Sequence, residues 1–175
     1  MTPEEMLLRW RSLLDGPAAE EIGRDLVARW SAPHRHYHTL DHLERVLSIV
    51  DSNATQAAEP DAVRLAVWFH DAVYDPRRTD NADASAALAA RVLPTAGVPA
   101  PTVAAVARLV RLTATHDPAP GDTDGALLCD ADLAVLAGDP GEYAAHRQRF
   151  LAEQGYAYTI VDADDVLGPP LPEVP

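Results

Sequence analysis

The chain has 175 residues, a length that suits one domain with one core and leaves little for a second. Its formal charge of −13 speaks against binding a nucleic-acid backbone, which needs Lys and Arg to neutralise phosphates, and its single cysteine, Cys129, excludes an intrachain disulfide and a multi-cysteine zinc site. Apolar residues make up 47% of the chain and aromatics only 6%, so Ala, Leu and Val carry the packing, a mix that favours helices over strands.

In chain order, two helices are predicted over Pro3 to Leu14 and Pro17 to Trp30, parted by Asp15-Gly16, with Pro placed at each start where its missing N–H costs nothing. An extended segment, Pro33 to His38, leads into a helix over about Thr39 to Ala57, on which His42, Val46, Ile49 and Val50 recur at helical spacing. Asp61 is read as the cap of the next helix, whose stripe is Val63, Val67, His70, Asp71 and Tyr74 and which Asp75-Pro76 ends. An Ala-rich helix over Asn81 to Leu93 and a loop over Pro94 to Pro101 follow. The helix Thr102 to Thr115 is closed by His116-Asp117-Pro118. An apolar segment, Ala126 to Leu136, carries Asp130 and Asp132, and a last helix covers Gly141 to Gln154. The expectation is a compact all-α bundle over residues 1–154 and a poorly packed Pro/Asp-rich tail over 155–175. Met1 to Leu14 lacks the unbroken apolar run of a signal peptide, and no later run is long enough to span a bilayer. The expected setting is therefore cytoplasmic and away from membranes, while oligomeric state is not legible.

Histidines and carboxylates share three places: Arg35-His36-Tyr37-His38-Thr39-Leu40-Asp41-His42, Trp68-Phe69-His70-Asp71, and Cys129-Asp130-Ala131-Asp132-Leu133. His38 and His42, four apart, share a helix face if the helix begins early enough. Ionised carboxylates are rarely buried without a partner, and the apolar stretches around His70 and Asp132 hold no nearby Lys or Arg. A divalent metal satisfies several such groups at once, and two imidazoles with two carboxylates suit Mn²⁺, Fe²⁺, Co²⁺, Ni²⁺ or Zn²⁺. Taken singly, each has an ordinary structural explanation: a helix cap, an exposed helix start, or a helix stop at the second His-Asp pair, His116-Asp117. Their joint occurrence in separate apolar helices is what points to a site.

The order His42, His70-Asp71, Asp132 resembles the H…HD…D signature of the HD superfamily of metal-dependent phosphohydrolases. More narrowly, Arg35-x-Tyr37-His38-x-x-x-His42, Phe69-His70-Asp71-x-Val73-Tyr74, Asn81 with Ser85-Ala86, Thr113-x-x-His116 and Asp130-x-Asp132-Leu133 look like its branch of predicted metal-dependent HD phosphohydrolases, over about residues 5 to 146. The resemblance implies an HD-type bundle in which His42, His70, Asp71 and Asp132 hold a divalent metal, with Mg²⁺ among the ions to test. His42 is preferred to His38 because it sits just ahead of Leu43 and Val46. Asp132 is preferred to Asp130 because it follows Ala and precedes an apolar turn. His38 and His116 would flank the site, on substrate phosphate or a second metal.

Two departures from the pattern stand out: Ala82 follows Asn81 where family members commonly carry Glu, and the Tyr- and Arg-rich helical pattern fades after about His146. The implied reaction is hydrolysis of a small phosphate ester, nucleotide or other phosphorylated metabolite, by a metal-activated water, with Asp71 also taking the water's proton and Arg35 clamping a phosphate oxygen or forming a structural salt bridge. The alternatives from other classes are a non-catalytic metal-binding or ligand-sensing domain and a helical interaction protein without metal.

Overall fold

A computed structural model gives the fold and describes residues 2–137 and 140–155. The protein is all-α: among the described residues there are eight α-helices and no strand. They are α1 (Pro3–Arg11), α2 (Pro17–Trp30), α3 (Leu40–Ser52), α4 (Pro60–Phe69), α5 (Asn81–Val92), α6 (Ala100–Leu112), α7 (Thr123–Leu133) and α8 (Pro140–Glu153). Short 3₁₀ turns follow α3, α5 and α7. The expected tail, 155–175, lies outside the described residues except for Gly155.

Local chemistry accounts for most starts and stops. Thr2 and Glu5 form a capping box at α1, whose first residue is Pro3. Gly16, at φ 92°, turns the chain into α2. The cap expected from Asp61 is not used: α4 starts at Pro60, Asp61 pairs with Arg64, and Asp124 of α7 instead accepts from the backbone of Ala58 and Glu59. The long helix expected to reach Ala57 breaks at Ser52, where Asn53 turns its amide back onto the Ile49 carbonyl.

The core is built on three fully buried tryptophans. Trp10 meets Trp68 edge-on at 5.2 Å, and each indole N–H of Trp10 and Trp30 is satisfied by a carbonyl, of Ala19 and Trp68 respectively. Gly23 lets α2 close onto Trp10, because a Cβ there would overlap the indole. Leu43, Val46, Leu47 and Val50 of α3, Val63, Ala66 and Val67 of α4, Val106, Leu109 and Val110 of α6 and Leu128 of α7 fill the remaining core. This packing brings the first turn of α3, the last turn of α4 and the last turn of α7 to one place. No described helix is long and apolar enough to cross a membrane.

Candidate metal centre

His42 lies in the first turn of α3 and is buried; His70 caps the C-terminus of α4 and is more deeply buried still. Nε2 of His42 faces Nε2 of His70 at 3.3 Å, and Asp132 Oδ1, from α7, lies 3.1 Å from the first and 3.5 Å from the second. These three ligand atoms all lie within 4.8 Å of one another. Asp71 joins through His70, with Oδ2 at 3.2 Å from its Nε2. Asp130, the rival to Asp132, points to solvent.

Two further histidines stand beside the carboxylates. His38 Nε2 is 3.5 Å from Asp71 Oδ2, and His116 Nε2 is 2.8 Å from Asp132 Oδ2. His38 precedes α3 rather than belonging to it, so the shared helix face expected for His38 and His42 does not form; the turn before the helix brings their rings to 5.7 Å instead. His116 adopts φ 51°, the left-handed region, which ends the turns after α6 and swings its ring toward Asp132.

The helix expected to continue through Asp71 to Tyr74 stops at Phe69, because distant side chains take the backbone groups it would have used. Arg35 donates to the carbonyls of Asp71 and Ala72 at 2.8 and 3.4 Å, and also to that of His38 at 3.1 Å. Ser85 Oγ accepts from Val73 N–H at 3.0 Å and bonds its carbonyl at 3.2 Å, and Asn81 brackets the Asp75 backbone in the same way. Arg35 itself is 7% exposed and stacks against Trp30 and Tyr74, with its guanidinium carbon 5.2 and 5.6 Å from the ring centres. A guanidinium that donates to three carbonyls ties the His38 and Asp71 segments together, with carbonyls in place of the carboxylate of the salt bridge expected for it.

Glu153, on the last turn of α8, is the residue that sequence reasoning missed. Its Oε1 lies 2.6 Å from His38 Nδ1, while Oε2 accepts from the backbone N–H groups of His36, Tyr37 and His38 at 2.7, 2.6 and 3.1 Å. A sequence signal existed only in retrospect: three consecutive amides ahead of α3 need an acceptor. Burial disfavours charge on this carboxyl, but the bonds from His38 and from the amides outweigh it and bring its pKa down to about 2.

The electrostatics separate the two central imidazoles. Burial lowers His42, which stays neutral. Burial also opposes charge on His70, yet Asp71 and Asp132 overcome it and push the pKa up to about 9. Burial works against ionisation of Asp132 too, but the charge on His70 and hydrogen bonds from His116, His42 and His70 hold it well below the usual carboxylate range. The donor set fits a divalent cation. Two imidazole nitrogens turned toward each other beside a buried carboxylate require either a shared proton or a metal, and His70 Nδ1, bonded to the Val67 carbonyl at 2.7 Å, leaves Nε2 as the nitrogen that could meet a cation.

No family model and no solved structure matches the chain. Two curated proteins match short segments. A DNA 3'-5' helicase XPB of Mycobacterium tuberculosis is 71% identical over 38 residues, 21% of this chain and 7% of the helicase. A DNA 3'-5' helicase XPB of Kineococcus radiotolerans is 85% identical over 27 residues, 15% of this chain and 5% of the helicase. The chain thus spans less than a tenth of the length of these relatives, and the similarity is one of segments.

Proposed function

We propose that this protein is a metal-dependent phosphohydrolase of the HD type, cytoplasmic, acting on a small phosphate ester. The observation that carries the reading is the convergence of His42, His70 and Asp132 from α3, α4 and α7, with Asp71 adjoining. These four residues would hold the metal. The chemistry a divalent cation would supply there is a lowered pKa for a bound water and an offset to charge on the phosphoryl oxygens. Asp71, facing His38 Nε2, takes a proton from the attacking water. His38 and His116 supply protons and hydrogen bonds on the outer side of the carboxylates. Hydrolysis forms a bond from the water oxygen to phosphorus and breaks the ester P–O bond, and the departing alcohol oxygen ends protonated.

The test is metal analysis of the purified protein followed by a phosphoester panel with Mn²⁺, Co²⁺, Ni²⁺ and Mg²⁺, comparing wild type with Asp71→Asn and Asp132→Ala. Metal-dependent turnover lost in both variants is the expected result. A second reading, a non-catalytic metal-binding or sensing domain, draws on one observation: Ala82 stands where the family pattern has Glu, and neighbouring Asp83 is turned outward onto Arg111. Metal binding without turnover on any ester would favour it.

A further inference from the structure

Among the described residues, the exposed large hydrophobic side chains are unevenly placed. Of the four with high exposure, Leu133 (39%), Leu136 (60%) and Phe150 (41%) line the same cavity, of about 320 Å³, between the end of α7 and α8. His38, His116 and Asp132 also line it, so the cavity opens onto the outer side of the proposed metal centre. Tyr37, Val135 and Tyr143 extend an aromatic and aliphatic wall, and His146 and Arg147 stand at its polar edge. On α7 the core is carried by Leu127, Leu128 and Ala131, and Leu133 lies outside it.

We propose that this cavity seats the alcohol portion of the substrate ester and that this portion is a flat, apolar ring system, a benzyl-like or heteroaromatic group, rather than a sugar or a polyol. The proposal rests on the phosphohydrolase reading above, which puts the phosphate at the metal that His42, His70, Asp71 and Asp132 would hold and so sends the ester's organic group outward past His38 and His116. Size supports it: ligand pockets run from about 300 to 1,000 Å³, so this one holds one ring system and not an extended chain of groups. Chemistry supports it as well. A polyol brings several hydroxyls, and each one pressed against Leu133, Val135, Leu136 or Phe150 would lose its water partner without gaining another. A ring loses nothing there and stacks edge or face against Tyr37, Tyr143 and Phe150.

The experiment compares benzyl phosphate, ethyl phosphate and glycerol 2-phosphate, all esters of alkyl alcohols, so that differences report on the pocket more than on the leaving group. With Mn²⁺, kcat/KM for benzyl phosphate is expected to exceed that for the other two by about tenfold or more, the scale at which apolar pockets discriminate. Leu136→Ser and Phe150→Ala, at positions 60% and 41% exposed, should cut the benzyl-to-ethyl ratio about tenfold. An unchanged ratio overturns the proposal, and so does equal turnover of all three esters. Calorimetric binding of benzylphosphonate against ethylphosphonate, with Mn²⁺, keeps the question open to measurement if no ester turns over. Discrimination that Leu136→Ser erases then supports the cavity while the phosphohydrolase reading falls. No discrimination overturns the cavity as well. Sedimentation of the same variant covers the remaining occupant: loss of an oligomer, with the ligand preference unaltered, assigns the patch to a second copy of the chain and overturns the proposal.

Discussion

Glu153 and His38, 115 residues apart in the chain, form a close polar junction beside the proposed metal centre: one carboxylate oxygen meets the imidazole Nδ1 at 2.6 Å and the other gathers three amides. A carboxylate in that position requires Nδ1 to carry a proton. It therefore directs the remaining nitrogen, Nε2, toward Asp71. Glu153→Gln keeps the size but offers an N–H where an acceptor is needed, so His38 loses its fixed tautomer. Turnover is expected to fall about 10- to 100-fold, the range seen when a carboxylate that orients an imidazole is removed. Comparison of kcat for wild type and variant at saturating metal checks this, and a kcat within twofold would remove Glu153 from the site.

The same carboxylate predicts a signature in acid. Its folded pKa, about 2, lies below the ordinary value of 4.5, so its contribution to stability is complete above about pH 4.5 and is lost as pH falls through 2. Urea unfolding between pH 5 and pH 3 should show a steeper loss of stability in wild type than in Glu153→Gln. Parallel slopes would mean that the carboxylate is not held as the structure shows.

His70 carries the opposite sign. With its pKa raised to about 9, the metal-free protein keeps this imidazole protonated at neutral pH, and a cation binding at Nε2 must displace that proton. Metal binding should release close to one proton from this group at pH 7, and the release should fade as pH rises through about 9. Apparent affinity should climb with pH over the same interval and then level off. Calorimetry in buffers of different ionisation enthalpy counts the protons directly. Release that does not change between pH 7 and pH 10 would contradict the placement of His70 between Asp71 and Asp132.

Much of the centre was legible because its residues break the pattern around them. His70-Asp71 interrupts an apolar run, Asp132 sits in another, and His42 opens an amphipathic helix; each is anomalous within its own neighbourhood. The helical class was legible for the same local reason, through Ala-rich composition and apolar periodicity. What escaped were effects of distant residues. Nothing near Phe69 announces that α4 ends there, because Arg35, Asn81 and Ser85 impose that end from elsewhere in the chain. Glu153 looks like any solvated carboxylate on a polar helix until α8 lies against the turn before α3. Asp61 looked like a cap and is instead a surface partner of Arg64, while the carboxylate serving that end of α4 comes from α7.

Arg35 separates a structural role from a substrate contact. Its Nη groups hold the carbonyls of His38, Asp71 and Ala72, so Arg35→Lys, which cannot span three acceptors with a planar fork, should lower stability by about 2–4 kcal/mol and weaken metal binding together. A phosphate-binding arginine would behave differently, raising KM with the melting temperature intact. Thermal unfolding and metal titration of the one variant distinguish the two.

His116 combines a backbone cost with a side-chain purpose, and two substitutions separate them. At φ 51° a residue with a Cβ is strained by roughly 1–2 kcal/mol relative to glycine, yet the sequence places histidine there, and its Nε2 reaches Asp132 at 2.8 Å. His116→Ala removes the imidazole and keeps the strain; His116→Gly removes both. The glycine variant should therefore be more stable than the alanine variant by about 1 kcal/mol. Both should lose turnover to a similar extent, because both leave Asp132 without that partner. Melting temperatures and kcat measured side by side test the two halves at once. Equal stability would show that the left-handed turn costs nothing here. Retained activity in either variant would reduce His116 to a helix stop, the role its neighbours Asp117 and Pro118 suggest on their own.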